Sequence, residues 1–137
     1  MSYIKIFLLL IFFNQNKDIH IDPTDAYNQL NSNHDIILID VRTEEEIRIS
    51  KISGSINIDF DSKSFYDSLL TLNKSKKYFI YCRSGRRSTI TVNYMRENGF
   101  HESYNVDGGI NSWKNQNLDL KPKKRPLIND LLFQKMI

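Results

Sequence analysis

The chain has 137 residues, of which 40% are hydrophobic and 12% aromatic, and a formal net charge of +3. This length is typical of one domain, and the apolar content is enough to bury one core, which excludes a wholly disordered chain. Cys82 is the only cysteine. A lone cysteine excludes an intrachain disulfide and a zinc site built from several thiolates, and no metal or other cofactor is predicted.

Residues 1–17 form an N-terminal hydrophobic segment. Lys5 precedes an unbroken apolar run of eight residues, 6–13. A membrane-spanning helix needs about 20 such residues, so no transmembrane span is predicted. The run is typical of the core of a secretory signal, although residues 14–17 lack the small side chains that a signal peptidase prefers. The alternatives are therefore an exported or periplasmic protein, or a cytoplasmic one in which this segment packs on the domain as an extra strand or helix.

Apolar runs alternate with amphipathic segments over residues 18–120, the predicted domain. The first strand is predicted at 19–21, and Asp22 followed by Pro23 is typical of a helix start. A continuous apolar run at 36–39 predicts a strand that is covered on both faces. These features indicate that helices flank a sheet.

The following segments continue the alternation. Thr43 and Glu46 have the spacing of a capping box and predict a short helix, and residues 56–58 predict a brief strand. A further helix is indicated by apolar residues at a spacing near 3.6, namely Phe65, Leu69 and Leu72.

The last part of the domain contains two more strands and two more helices. A strand at 78–81 leads directly into Cys82, and the helix that follows should stop at Gly99. Residues 103–106 predict the final strand, and the turn at 107–109 leads to a last helix around Trp113. Strands that alternate with helices predict an α/β fold with a parallel sheet covered on both sides.

The tail, residues 121–137, is basic, with five Lys or Arg against the single acid Asp130. Such a tail could contact a nucleic acid or an anionic membrane. A solvated, mobile end is the more common outcome, so no nucleic-acid partner is expected.

Segment 81–88, Tyr-Cys-Arg-Ser-Gly-Arg-Arg-Ser, carries the chemistry of the chain. A loop from the carboxyl end of a parallel strand into a helix points its backbone N–H groups inward and holds an anion. Gly85 allows the tight turn. Cys82 would face the helix N-terminus and three arginines, which favour a nucleophilic thiolate and stabilise a persulfide anion. A buried, unreactive thiol is the alternative.

This segment resembles the active-site loop of rhodanese-type sulfurtransferases. Residues 39–46, 52–58 and 105–110 resemble further motifs of that family in the same order, and Trp113 follows them. The resemblance implies a rhodanese-like three-layer fold, with a five-stranded parallel sheet flanked by helices. It also implies that the protein takes sulfane sulfur from a small anionic donor such as thiosulfate. Cys82 would carry that sulfur as a persulfide to cyanide, a thiol or a protein cysteine.

The resemblance also assigns roles to residues. Cys82 is the predicted nucleophile and sulfur carrier. The rest of the loop is predicted to bind the anionic donor and the persulfide, namely Arg83, Ser84, Gly85, Arg86, Arg87 and Ser88. Asp40 and Arg42 resemble the Asp-Val-Arg element of the family and are predicted as a supporting ion pair that orders the loop. The three histidines lie outside the loop, and none is expected to act as a base for the cysteine.

Two other functions stay open. Four residues separate Cys82 from Arg87, whereas relatives of this fold that act on phosphate or arsenate have five, so a phosphatase or arsenate reductase is disfavoured. The main alternative is a non-enzymatic module of the rhodanese type that binds a partner or relays its sulfur. Because the chain has no second cysteine, any persulfide must pass its sulfur to an external acceptor.

Overall fold

The computed structural model describes residues 18–121. The possible signal peptide at 1–17 lies outside the described residues, as does all of the basic tail except Lys121. Within the described part of the chain, no helix combines the length and the hydrophobicity that crossing a membrane requires.

Five strands and five helices alternate along residues 18–121. The strands are β1 (His20–Ile21), β2 (Ile37–Asp40), β3 (Ile56–Asn57), β4 (Tyr78–Tyr81) and β5 (Ser103–Val106). The helices are α1 (Pro23–Ser32), α2 (Glu44–Ile49), α3 (Phe65–Leu70), α4 (Arg86–Glu97) and α5 (Gly109–Asn115). The predicted elements are therefore present, with ends that differ by one or two residues. Leu72, predicted on the third helix, lies just beyond its end but is still buried.

All five strands are parallel, in the order β1-β5-β4-β2-β3. The five-stranded parallel sheet that the resemblance implied is thus confirmed. β4 lies at the centre, with Tyr81 beside Asp40 of β2 and Ile80 beside Asn105 of β5. This register brings together the residues that follow β2, β4 and β5. They lie around Cys82, at the carboxyl ends of the strands.

Each face of the sheet carries its own hydrophobic core. Buried residues of α1 and α5, including Trp113, pack with Phe79 and Tyr81 on one face. Buried residues of α3 and α4 pack with Tyr78, Ile80 and Cys82 on the other. The continuous apolar runs of β2 and β4 follow from this arrangement, because a strand covered on both faces has no polar side.

Two helices begin at the capping residues that the sequence predicted. The Asp22 carboxylate accepts the backbone N–H of Thr24 at 2.8 Å and caps α1. At the start of α2 the predicted capping box is present, with Glu46 N–H donating to Thr43 Oγ1 at 3.4 Å and Thr43 N–H donating to Glu46 Oε2 at 3.0 Å. The capping box holds the Glu46 side chain at the first turn of α2, where it also reaches Arg87 in the first turn of α4.

Candidate active site

Cys82 follows the central strand β4 directly and is buried at the entrance to α4. The backbone N–H of Gly85 donates to Cys82 Sγ at 3.1 Å, and Ser88 Oγ lies 3.4 Å from the same sulfur. Gly85 adopts φ +99°, a left-handed conformation that glycine permits, and this turns the chain from the loop into the helix. The sulfur therefore lies at the positive end of a helix of 12 residues.

The pKa of the Cys82 thiol is lowered relative to its ordinary value. Burial by itself raises that pKa, because it removes the thiolate from water. The Ser88 hydroxyl and the backbone N–H groups of Ser88, Gly85 and Ser84 act in the opposite direction, since each can donate a hydrogen bond to the anion. The hydrogen bonds of the loop together outweigh the cost of burial, so the pKa of the buried thiol lies below its ordinary value.

The three loop arginines have different surroundings. Arg83 and Arg86 are exposed, whereas Arg87 is partly buried. Arg87 holds Glu46 with both terminal nitrogens, Nη1 to Oε2 and Nη2 to Oε1, each at 2.8 Å. Its interaction with Glu46 raises the pKa of Arg87, and its charge also interacts with Cys82. Of the three arginines, Arg87 is therefore the one shown to interact with Cys82, while Arg83 and Arg86 are exposed.

Glu46 was recognised in the sequence only as part of a capping box. In the structure the bidentate contact with Arg87 lowers the pKa of the Glu46 carboxyl to about 2. Burial opposes this change, and the hydrogen bond from the Thr43 backbone supports it. Glu46 thus links α2 to the first turn of α4 and fixes the position of the Arg87 guanidinium beside the sulfur.

The Glu46–Arg87 pair predicts a defined pH dependence of stability. A carboxyl whose pKa is depressed in the folded state stabilises the fold above its unfolded value, near 4.5, and that stability is lost as pH falls through about 2. Glu46→Gln should lower the free energy of unfolding at neutral pH by about 1–3 kcal/mol. The difference between the two proteins should shrink as pH falls from about 4.5 towards 2, as measured by urea unfolding at several pH values.

Glu45→Gln is the matched control, because Glu45 is an exposed neighbour on the same helical turn. It removes one negative charge without touching Arg87. A loss of stability at neutral pH equal to that of Glu46→Gln would contradict the assigned role of the pair.

The N-terminal turn of α5 binds the backbone of the active-site loop. The backbone N–H groups of Ile110 and Asn111 donate to the carbonyl oxygens of Cys82 and Arg83 at 2.9 and 3.2 Å. A methyl group on Gly109 would overlap the Cys82 carbonyl oxygen and lie 2.8 Å from the Arg83 carbonyl group. Gly109 also has φ +59°. A side chain at this position would displace the loop that surrounds the sulfur.

Gly109→Ala should therefore destabilise the fold by more than ~1 kcal/mol, because both the conformation and the space exclude a Cβ. The folded fraction should also show a slower reaction of Cys82 with iodoacetamide, since its donors move away from the sulfur. Thermal unfolding and the rate of alkylation measure the two effects. Wild-type stability together with a wild-type alkylation rate would show that this close approach is unimportant.

The predicted ion pair between Asp40 and Arg42 is formed. Arg42 Nη2 donates to Asp40 Oδ2 at 2.7 Å, and both side chains are almost fully buried. The same nitrogen donates to the carbonyl oxygen of Ser50 at 2.8 Å, and the guanidinium lies 5.5 Å from the centre of the Tyr81 ring. Because Tyr81 immediately precedes Cys82, this geometry is compatible with a supporting role beside the loop.

A polar network on the β5 side of the central strand reaches the sulfur, whereas Asp40 and Arg42 lie at the carboxyl end of β2, on the other side. Ser88 Oγ lies 2.6 Å from Asn105 Oδ1, and Asn105 Nδ2 lies 3.2 Å from both Asp107 Oδ1 and His20 Nδ1. Neither Asn105 nor Asp107 was among the predicted site residues, and no histidine was expected to act in the site. His20 and Asn105 are 85 positions apart, and only the parallel pairing of β1 with β5 brings them together.

The sequence matches the model of a known protein family. The family model for the rhodanese-like domain matches residues 22–116. The chain belongs to the rhodanese-like domain family. The resemblance inferred from the loop and its accompanying motifs is thereby confirmed.

Relatives of this rhodanese-like protein include proteins that are named as sulfurtransferases. It is 34% identical over 95 residues to Putative sulfurtransferase YtwF of Bacillus subtilis, covering 69% of this chain and 86% of YtwF. It is 35% identical over 108 residues to the adenylyltransferase and sulfurtransferase UBA4 of Debaryomyces hansenii. That match covers 72% of this chain but only 24% of UBA4. These relatives support membership of a sulfurtransferase family.

Solved structures share the fold. A rhodanese-related protein from Thermoplasma volcanium aligns with a TM-score of 0.65 and 28% identity, covering 73% of this chain and 94% of that one. A rhodanese-like domain protein from Staphylococcus aureus aligns with a TM-score of 0.62 and 33% identity, covering 69% of this chain and 89% of that one. The α/β architecture is thus that of a single rhodanese-like domain.

Proposed function

We propose that this rhodanese-like protein is an enzyme that transfers sulfane sulfur through a persulfide on Cys82. The observation that supports this proposal is a buried sulfur surrounded by donors of its own loop, with Gly85 N–H at 3.1 Å and Ser88 Oγ at 3.4 Å from Cys82 Sγ. These donors lower the pKa of the thiol. A thiolate is the form of cysteine that attacks sulfur, and the same donors would stabilise the terminal sulfur of a persulfide anion.

The first half-reaction is a displacement at sulfur. The Cys82 thiolate attacks the outer sulfur of thiosulfate, a new S–S bond forms, and the S–S bond of thiosulfate breaks. Sulfite leaves with the bonding electron pair, so that a thiolate and a thiosulfate dianion give a persulfide anion and a sulfite dianion. Arg83 and Arg86 are exposed beside the loop, where their guanidinium groups can attract and orient the anionic donor.

The second half-reaction requires an external acceptor, because the chain has no second cysteine. Cyanide attacks the terminal sulfur, the persulfide bond breaks, and thiocyanate leaves while Cys82 is restored as a thiolate. A small thiol or a protein cysteine can take the same sulfur as a new persulfide. The likeness to UBA4, which is named an adenylyltransferase and sulfurtransferase, makes a protein thiol a reasonable acceptor to test.

The geometry favours sulfur transfer over phosphoryl transfer. In an enzyme that transfers a phosphoryl group, an arginine at the end of the loop must point at the equatorial oxygens of that group. Both terminal nitrogens of Arg87 instead hold the Glu46 carboxylate at 2.8 Å. The loop, with four residues between Cys82 and Arg87, is also short for a tetrahedral oxyanion.

The proposal predicts a change of mass after exposure to thiosulfate. The intact protein should gain about 32 Da, the mass of one sulfur atom on Cys82, and should lose it when cyanide is added. Cys82→Ser should neither gain the mass nor form thiocyanate. Intact-protein mass spectrometry and a colorimetric assay for thiocyanate measure the two half-reactions separately.

The same experiment separates this function from the alternatives. A partner-binding module without sulfur chemistry would show no gain of mass with thiosulfate or with a low-molecular-weight persulfide. A relay module would gain sulfur from a persulfide but form no thiocyanate from thiosulfate and cyanide. Hydrolysis of a phosphate ester or reduction of arsenate, with no gain of sulfur, would replace the proposal by the phosphatase or arsenate reductase function.

A further inference from the structure

A continuous chain of polar side chains leads from the protein surface to the sulfur. Ser88 and Asn105 are buried, whereas the side chains of His20 and Asp107 are 42% and 51% exposed. None of the distances between successive members exceeds 3.4 Å. Hydrogen-bonding groups therefore connect the exposed pair to Cys82 without a gap.

The Ser88 hydroxyl has one proton and two acceptors in reach. Its oxygen lies 2.6 Å from Asn105 Oδ1 but 3.4 Å from Cys82 Sγ. Both distances are in hydrogen-bond range, because sulfur is larger than oxygen, and one proton cannot serve both acceptors fully, so the amide oxygen and the sulfur compete for it. The orientation of the Asn105 amide thus controls how much of the Ser88 hydrogen bond the sulfur receives.

Asp107 fixes that amide. Asn105 Nδ2 donates to Asp107 Oδ1 at 3.2 Å, and His20 Nδ1 lies 2.6 Å from the same oxygen. This short contact with a carboxylate makes His20 Nδ1 a donor. Two donors, His20 Nδ1 and Asn105 Nδ2, thus lie 3.2 Å apart and share one acceptor. The acceptor keeps the amide nitrogen on the outside and the amide oxygen towards Ser88.

We propose that Asp107 and His20 are positioning residues that act through the Asn105 amide to direct the Ser88 hydroxyl proton towards or away from Cys82 Sγ. While the Asp107 carboxylate accepts from both donors, the amide oxygen competes with the sulfur for the proton of Ser88. When that carboxylate is removed or engaged elsewhere, His20 Nδ1–H donates to Asn105 Oδ1 and the amide turns over. Asn105 Nδ2 then donates to Ser88 Oγ, and the hydroxyl proton turns to the sulfur.

Other charged groups near His20 and near Cys82 have partners outside this network of polar side chains. Beside His20, the Asp18 carboxylate accepts the His20 backbone N–H at 2.9 Å, and Arg96 Nη2 lies 3.2 Å from the Asp18 carbonyl oxygen. Beside Cys82, the charge of Arg87 is paired with Glu46. Substitutions at Asp107 do not remove these groups, so they test the network of hydrogen bonds from Asp107 to Cys82.

The test is the rate at which iodoacetamide alkylates Cys82, measured from neutral pH downwards. Asp107→Ala removes the acceptor and should accelerate alkylation about 3-fold at a pH below the pKa of the thiol, which corresponds to one additional hydrogen bond to the thiolate. Asp107→Asn keeps an acceptor oxygen for both donors and should react at nearly the wild-type rate. Equal acceleration by both variants would assign the effect to lost charge and overturn the proposal.

Two double variants test whether the effect of Asp107 reaches Cys82 through Ser88 and depends on His20. In a Ser88→Ala background, Asp107→Ala should produce no acceleration, because the proton that it redirects is absent. Adding His20→Ala to Asp107→Ala should return the rate towards wild type, since the donor that turns the amide is gone. Undiminished acceleration in the Ser88→Ala background would contradict the proposal. Asp25→Ala, at an exposed acid on α1, is the control for a general change in charge.

The proposal rests on the proposed function only in that Cys82 is the reacting atom, and its readout needs no sulfur donor. If the protein gains no sulfur but Asp107→Ala accelerates alkylation through Ser88, the sulfurtransferase function fails and the positioning role stands. If sulfur is transferred but Asp107→Ala leaves the alkylation profile unchanged, the positioning role fails alone. Circular dichroism of each variant confirms that the measured thiol belongs to a folded protein.

Discussion

The structure depends on one balance at the end of the central strand, between the burial of a sulfur atom and the hydrogen bonds that it receives. Burial favours the neutral thiol, whereas the donors of Ser84, Gly85 and Ser88 favour the anion and prevail. A fully exposed thiolate would not need these donors, and a buried thiol without them would be inert. Much of the remaining architecture keeps the donors of this loop in position.

Three elements act on the donors of this loop, two by holding the loop in place and one by competing for a proton. α2 contributes Glu46, which fixes Arg87 beside the sulfur through two contacts of 2.8 Å. α5 donates backbone hydrogen bonds to two carbonyl oxygens of the loop, and the close approach requires glycine at position 109. β5 contributes Asn105, which competes with the sulfur for the Ser88 proton. Reactivity at Cys82 is therefore a property of the whole sheet edge, and the segment 82–88 supplies only part of it.

The sequence allowed the local features to be predicted, and the structure adds those that depend on register. β4 and the loop after it were predictable because an apolar run, a glycine and a cysteine lie next to one another. The Thr43–Glu46 capping box was predictable for the same reason. The contact of Glu46 with Arg87 spans 41 positions, and that of Asn105 with His20 spans 85. No local pattern carries such contacts, because the order of the strands decides them.

The pH dependence of thiolate formation at Cys82 tests the central claim most directly, because the chain has no other thiol and Cys82→Ser gives the tyrosine background to subtract. The ultraviolet absorbance of the thiolate would be followed through a pH titration of the folded protein and of the same protein in denaturant. The account predicts that the folded protein ionises at the lower pH of the two. A midpoint at the same pH or higher in the folded protein would show that burial prevails over the donors of the loop, and would contradict the account.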